Sequence, residues 1–134
     1  MSDVHEVRVG SSDDIVGIRK MVRTIAGDIR MSLVDQTKLV TAASELARNI
    51  VVHGGGGTVR IERLTGPTGR TGVRMIFSDE GPGISDVDLA LTDGWSSGQG
   101  LGLGLPGSRR LVDEFELDTA VGRGTRITVT KWTR

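Results

Sequence analysis

The stretch TVRIERLTGPTGRTGVRMIFSDEGPG, residues 58–83, carries two runs of alternation around a turn. Val59 and Ile61 alternate with polar neighbours, GPTGRTG interrupts them, and Val73, Met75 and Phe77 alternate again. Period-two patterning on both sides of a Gly/Pro-rich break predicts a β-hairpin over residues 58–79. The hairpin ends in DEGPG, where two glycines let the backbone bend sharply beside Asp79. Upstream, Val4–Val9 reads as a first strand, and Ser11 or Ser12 offers an N-cap to a helix. Its apolar residues Ile15, Ile18, Val22, Ile25 and Ile29 recur at steps of three and four. Ser32, with Asp35 three residues on, resembles a capping box and opens a second helix running to the glycines at Gly54. Leu39, Ala43, Leu46 and Ile50 mark its buried stripe. Downstream, a short helix is expected at 86–91, a mobile segment at 92–102, and a further helix starting near Leu103 or Pro106. Two closing strands, 116–120 and 125–132, flank the turn VGRGT. Helices gathered on one face of a mostly antiparallel sheet make an α+β two-layer sandwich, its other face partly open.

The rest of the chain narrows the function. Its 134 residues suit one domain, 1–134, without an internal linker. Seventeen basic and seventeen acidic residues cancel, and no basic patch stands out, so neither nucleic acid nor an anionic membrane is an expected partner. The absence of cysteine removes disulfides, thiolate nucleophiles and zinc-thiolate sites together. MSDVHEVRVG is acidic and polar where a signal peptide needs positive charge before an apolar run, and no segment reaches membrane-spanning length; a cytoplasmic protein is expected.

Four short elements carry chemistry. In SELARNI, Glu45 and Asn49 fall at i and i+4, on one line at the margin of the buried stripe. They suit either a polar helix rim or a pair facing an adjoining cavity. In D-x-G-x-G, formed by Asp79, Gly81 and Gly83, a strand-end carboxylate can accept a hydrogen bond from an exocyclic amine such as that of adenine, or simply cap nearby amides. GQGLGLGLPG, residues 98–107, can present successive N–H groups and a helix N-terminus to phosphate oxygens. No lysine follows as a Walker loop requires, and no strand leads directly into it. As a plain surface loop it would expose Leu101, Leu103 and Leu105. Gly122 to Thr125, G-x-G-T, is by itself an ordinary hairpin turn.

In that order, the four elements resemble the boxes of the Bergerat-fold (GHKL) ATP-binding superfamily of gyrase, Hsp90 chaperones, histidine kinases and MutL repair proteins. The resemblance implies ATP and Mg2+ as cofactors. It implies that Asn49 ligates magnesium and that Glu45 orients or deprotonates the attacking group. Asp79 matches the adenine-binding aspartate, with Gly81 and Gly83 beside it. Gly100, Leu101, Gly102, Leu103 and Gly104 resemble the phosphate-binding lid, and Thr125 the threonine that supports the adenine site.

A bare domain of this size is similar to the serine protein kinases of bacterial partner switching. Histidine kinases need a phosphoacceptor His on a dimerising helix, whereas His5 and His53 read as exposed surface residues. ELARNI, DEGPGI, GLGLGLPG, RRLVDEFEL and a late KW resemble the RsbT-type switch kinases more closely than the anti-sigma kinases. That resemblance implies phosphorylation of STAS-domain proteins within stressosome assemblies, and activation of a PP2C-type phosphatase. An anti-sigma factor or nucleotide-regulated binding module is the alternative, although Glu45 has no evident use in a pure binder. The run Gly54 to Gly57 has no counterpart in this scheme.

Overall fold

The computed structural model describes residues 4–81 and 105–134. Five strands form one sheet in the order β1-β2-β3-β5-β4: β1 Val4–Val9, β2 Gly57–Thr65, β3 Thr71–Asp79, β4 Glu114–Ala120 and β5 Gly124–Trp132. Each of the four neighbour pairs is antiparallel. The hairpin read from residues 58–79 is β2 and β3, and β5 inserts beside β3, so β3 lies at the centre of the sheet. The helices expected from the apolar rhythm are α1 Ser12–Asp28 and α2 Leu33–Asn49; α3 spans Leu105–Leu111, with Pro106 in its first turn. Pairing carries β4 back to Glu114, two residues before its expected start.

Alternation decides which face is covered. Val59, Ile61, Val73, Met75, Phe77, Ile127 and Val129 point to the helices and are buried with Ile18, Val22, Leu39, Leu46 and Ile50. Burying such side chains contributes roughly 1.5–3 kcal/mol each before conformational entropy is counted. The intervening residues face away. There Arg74 meets its cross-strand partner Glu62 through two hydrogen bonds of 3.2 Å, while Arg60 and Arg126 are exposed.

The two helix starts differ from each other. At α1, Ser11 is the N-cap and the Asp14 carboxylate accepts from the Gly10 and Ser11 amides at 2.8 and 3.1 Å, which lowers its pKa. At α2, Ser32 Oγ accepts from the Asp35 amide at 3.1 Å, which is one half of the expected box. The Asp35 carboxylate instead faces Lys131 Nζ at 3.7 Å and Arg134 Nε at 3.8 Å. Lys131, only 3% exposed, also donates to the Leu111 carbonyl at 3.0 Å. One ammonium therefore ties β5 to the start of α2 and the end of α3.

Candidate functional site

The end of β3 builds one side of the site. Val9, Gly57, Asp79, Thr125 and Thr119 are successive cross-strand partners, so they form a single row across the sheet. Directly paired residues project to the same face, and Phe77, two positions before Asp79, is buried on the helix side. Asp79 and Thr125 thus point toward the helix layer at its margin.

Asp79 is partly buried, and desolvation raises its pKa. Opposing that, in decreasing order, are the Gly81 amide, which donates to Oδ1 at 2.9 Å, the Thr125 amide and the charge of His53. The Gly81 amide, two residues on, therefore holds the Asp79 carboxylate. Backbone also presses in from both flanks. Gly124 has φ +84°, and a Cβ there would lie 2.1 Å from the Asp79 carbonyl; one on Gly57 would lie 2.0 Å from the Ser78 carbonyl. Neither position admits a side chain as built. Thr119 Oγ1 donates to the Gly124 carbonyl at 2.9 Å and lies 3.0 Å from Thr125 Oγ1. Two cavities flank this strand end. One, of ≈ 410 Å³, includes Asp79, Thr119, Gly124 and Thr125; the other, of ≈ 490 Å³, includes Arg8, Gly55, Gly56, Gly57 and Asp79.

The last turns of α2 supply Glu45 and Asn49, both half-buried. Neither lines the two cavities beside Asp79. Asn49 is the final α-helical residue, and Ile50–Gly54 follow as a single π-helical turn. Such turns occur frequently at functional sites, because the inserted residue re-aims the helix end. The glycine run closes it. Gly55 is left-handed at φ +72°, and the Gly56 amide bonds back to the Ile50 carbonyl at 3.1 Å, six residues earlier. Gly57 then enters β2 opposite Asp79. The four glycines thus carry the chain from the Asn49 turn to the strand beside Asp79.

His53 sits in the π-helical turn, half-buried and electrostatically coupled to Asp79, which corrects its reading as an exposed surface residue. His5 is exposed, as expected. His53 and Thr119 are the site residues that sequence reasoning missed. Thr119 was findable, since Thr119 and Thr125 bracket the closing turn symmetrically; the π-helical turn leaves no period to read. Gly83, Gly100, Leu101, Gly102, Leu103 and Gly104, with the expected helix at 86–91 and mobile segment at 92–102, lie outside the described residues. Leu105, which opens α3 directly after the glycines, is buried at 1% exposure.

A strand-end aspartate is thus paired across the ladder with a threonine, while Glu45 and Asn49 stand on the last turns of α2. Residues 34–133 match the family described as histidine kinase-, DNA gyrase B-, and HSP90-like ATPase, and the chain belongs to that family. Within it the chain belongs with the RsbT-type serine/threonine kinases: it is 43% identical over 134 residues, all of both chains, to Serine/threonine-protein kinase RsbT of Bacillus subtilis (strain 168). The Anti-sigma F factor of Thermoanaerobacter sp. (strain X514) is 24% identical over 117 residues, covering 85% of this chain and 82% of that one. A crystal structure of the RsbU and RsbW domains of a Mycobacterium tuberculosis protein superposes with a TM-score of 0.61 at 21% identity, covering 97% of this chain and 33% of that one. That likeness is one of fold. Among the described residues no helix is long and apolar enough to cross a membrane.

Proposed function

We propose that this protein transfers the γ-phosphoryl group of ATP to a serine or threonine of a STAS-domain antagonist in a partner-switching pathway, and that it also binds and activates a PP2C-type phosphatase. The observation that carries the nucleotide part is the Asp79 carboxylate, held by the Gly81 and Thr125 amides in a desolvated strand end where a further donor would be welcome. The exocyclic amine of adenine is such a donor. The partner proteins are proposed from the full-length likeness to a serine/threonine kinase of partner switching.

Each residue then has one task. Asp79 accepts from the adenine amine, Gly81 and Gly83 are proposed to serve beside it, and Thr125 supports the base. Gly100, Leu101, Gly102, Leu103 and Gly104 are proposed to offer backbone N–H groups to the phosphates. Among the described residues no cluster of three or more His, Asp or Glu could hold a metal ion by itself. Magnesium would arrive with ATP, since Mg2+ keeps waters and phosphate oxygens among its ligands and needs few from the protein. Asn49 would contribute the side-chain oxygen, and the ion would neutralise charge on the transferring phosphoryl group. Glu45, one helical turn before Asn49, accepts the proton of the incoming hydroxyl.

Glu45→Gln tests the assignment. It keeps shape and helix propensity while removing the base, so folding and Mg-ATP binding persist and single-turnover transfer from labelled ATP to a STAS protein falls about 10²- to 10⁴-fold. Transfer at the wild-type rate would remove Glu45 from the chemistry. A wild-type protein that binds a STAS partner in a nucleotide-dependent way, yet phosphorylates none, would be a binding module and not a kinase.

A further inference from the structure

We infer that Thr119 is a positioning residue that fixes the Thr125 hydroxyl as a hydrogen-bond acceptor, and that this helps select an amine-bearing purine over an oxo purine. The inference rests on the reading of Asp79 and Thr125 as the adenine site and adds to it a residue outside the nucleotide boxes.

The argument is a count of protons. A threonine hydroxyl has one proton to give and two lone pairs. Thr119 Oγ1 lies 2.9 Å from the Gly124 carbonyl and 3.0 Å from Thr125 Oγ1. The carbonyl has no proton, so the Thr119 proton is committed to it. The hydrogen bond between the two hydroxyls must then be donated by Thr125. With its only proton turned toward Thr119, Thr125 offers the site lone pairs alone.

Its neighbour in the row offers the same polarity. Asp79 is the direct partner of Thr125 across the ladder, and an ionised carboxylate accepts only. Two acceptors on adjacent strands, with Cα atoms about 4.5–5.5 Å apart, suit a ligand edge that donates, either directly or through a water. Adenine has an amine at the position where guanine has a carbonyl oxygen, which would face both acceptors. The carbonyl that holds Thr119 is itself fixed, since Gly124 packs with no room for a side chain against Asp79. Thr119 therefore takes its orientation from the same piece of backbone that frames the carboxylate.

Calorimetric titration of wild type, Thr119→Val and Thr119→Ser with ATP and with GTP tests this, with urea unfolding run alongside. Valine keeps the shape and removes the hydroxyl, freeing the Thr125 proton to turn outward. ATP affinity should fall about 2- to 10-fold while GTP affinity holds or rises, so the ATP/GTP ratio shrinks; serine should restore it. A ratio unmoved in Thr119→Val, with both nucleotides weakened alike, would overturn the inference and leave Thr119 structural. If Thr119→Val unfolds, Thr125→Val should lose the same discrimination, and a Thr119→Ser protein lacking the wild-type ratio would count against the idea. A wild-type protein that binds no ATP would instead overturn the adenine reading itself.

Discussion

At the scale of single residues, Asp79, proposed as the adenine acceptor, carries a cost in stability. Its pKa is raised, first by desolvation, so the folded protein holds that proton more tightly than the unfolded chain does. The sign follows from linkage: the favourable contribution is complete below the unfolded value, about 3.9, and is lost as pH rises through the higher folded value. At neutral pH the ionised carboxylate is thus a cost to the free protein, and one that a donor from a ligand relieves. Asp79→Asn removes the charge and leaves an oxygen that can still accept from Gly81. Thermal unfolding at pH 7 should show a midpoint equal to or above wild type, and the difference should narrow as pH is lowered through the raised value. ATP affinity by calorimetry should nevertheless drop about tenfold or more, because an amide N–H can now face the adenine amine. Unchanged ATP affinity would end the assignment of Asp79. The carboxylate's place at a strand end was legible in the sequence, because alternation running into D-x-G-x-G is a local signal. Of the partners that tune it, Thr125 was named only through the family resemblance, since pairing of β3 with β5 joins residues forty-six apart in number, and His53 acts from a π-helical turn that leaves no period to read.

At the scale of elements, apolar rhythm located the strands and the helices of residues 4–81 because each period has a single buried face to serve. It failed where geometry departs from a period. The expected helix to Gly54 ends as α-helix at Asn49, and the glycines after it read as a surplus until their backbone is seen. Two substitutions separate their roles. Gly55→Ala places a side chain at φ +72° with open space around it, a cost of about 1–2 kcal/mol in urea unfolding. Gly57→Ala has no positive φ to oppose but drives Cβ to 2.0 Å from the Ser78 carbonyl, so β2 and β3 must part beside Asp79. It should be the more destabilising of the two and should weaken ATP binding as well. Equal unfolding midpoints for both variants would show that the strand end relaxes without consequence.

At the scale of the whole molecule, the sheet holds the proposed nucleotide site at one end and its fastening at the other. Thr125 and Lys131 are six residues apart on β5, about 20 Å at the rise of an extended strand. Lys131 is buried between the start of α2, through Asp35, and the end of α3, through the Leu111 carbonyl. Arg134 adds a second cation to Asp35 and pairs with Asp113, whose other oxygen accepts from the Trp132 amide at 2.8 Å. A capping-box spacing at Ser32 and Asp35 concealed this in the sequence, since it assigned Asp35 to its own helix. Buried ion pairs are costly to break from one side and cheap to replace as a unit. Asp35→Ala should therefore destabilise by about 3–5 kcal/mol, leaving the Lys131 ammonium buried with a carbonyl as its remaining close partner. Asp35→Leu combined with Lys131→Met should lose less than Asp35→Ala alone, a coupling that chemical denaturation can read from the four corners of the cycle. Where these variants remain folded, ATP affinity should stay within experimental error of wild type, because the Asp79 row lies at the far end of the sheet. A double variant that loses the sum of its singles would mean that Asp35 and Lys131 act separately. Affinity that falls with stability would mean that the fastening and the site are one cooperative unit.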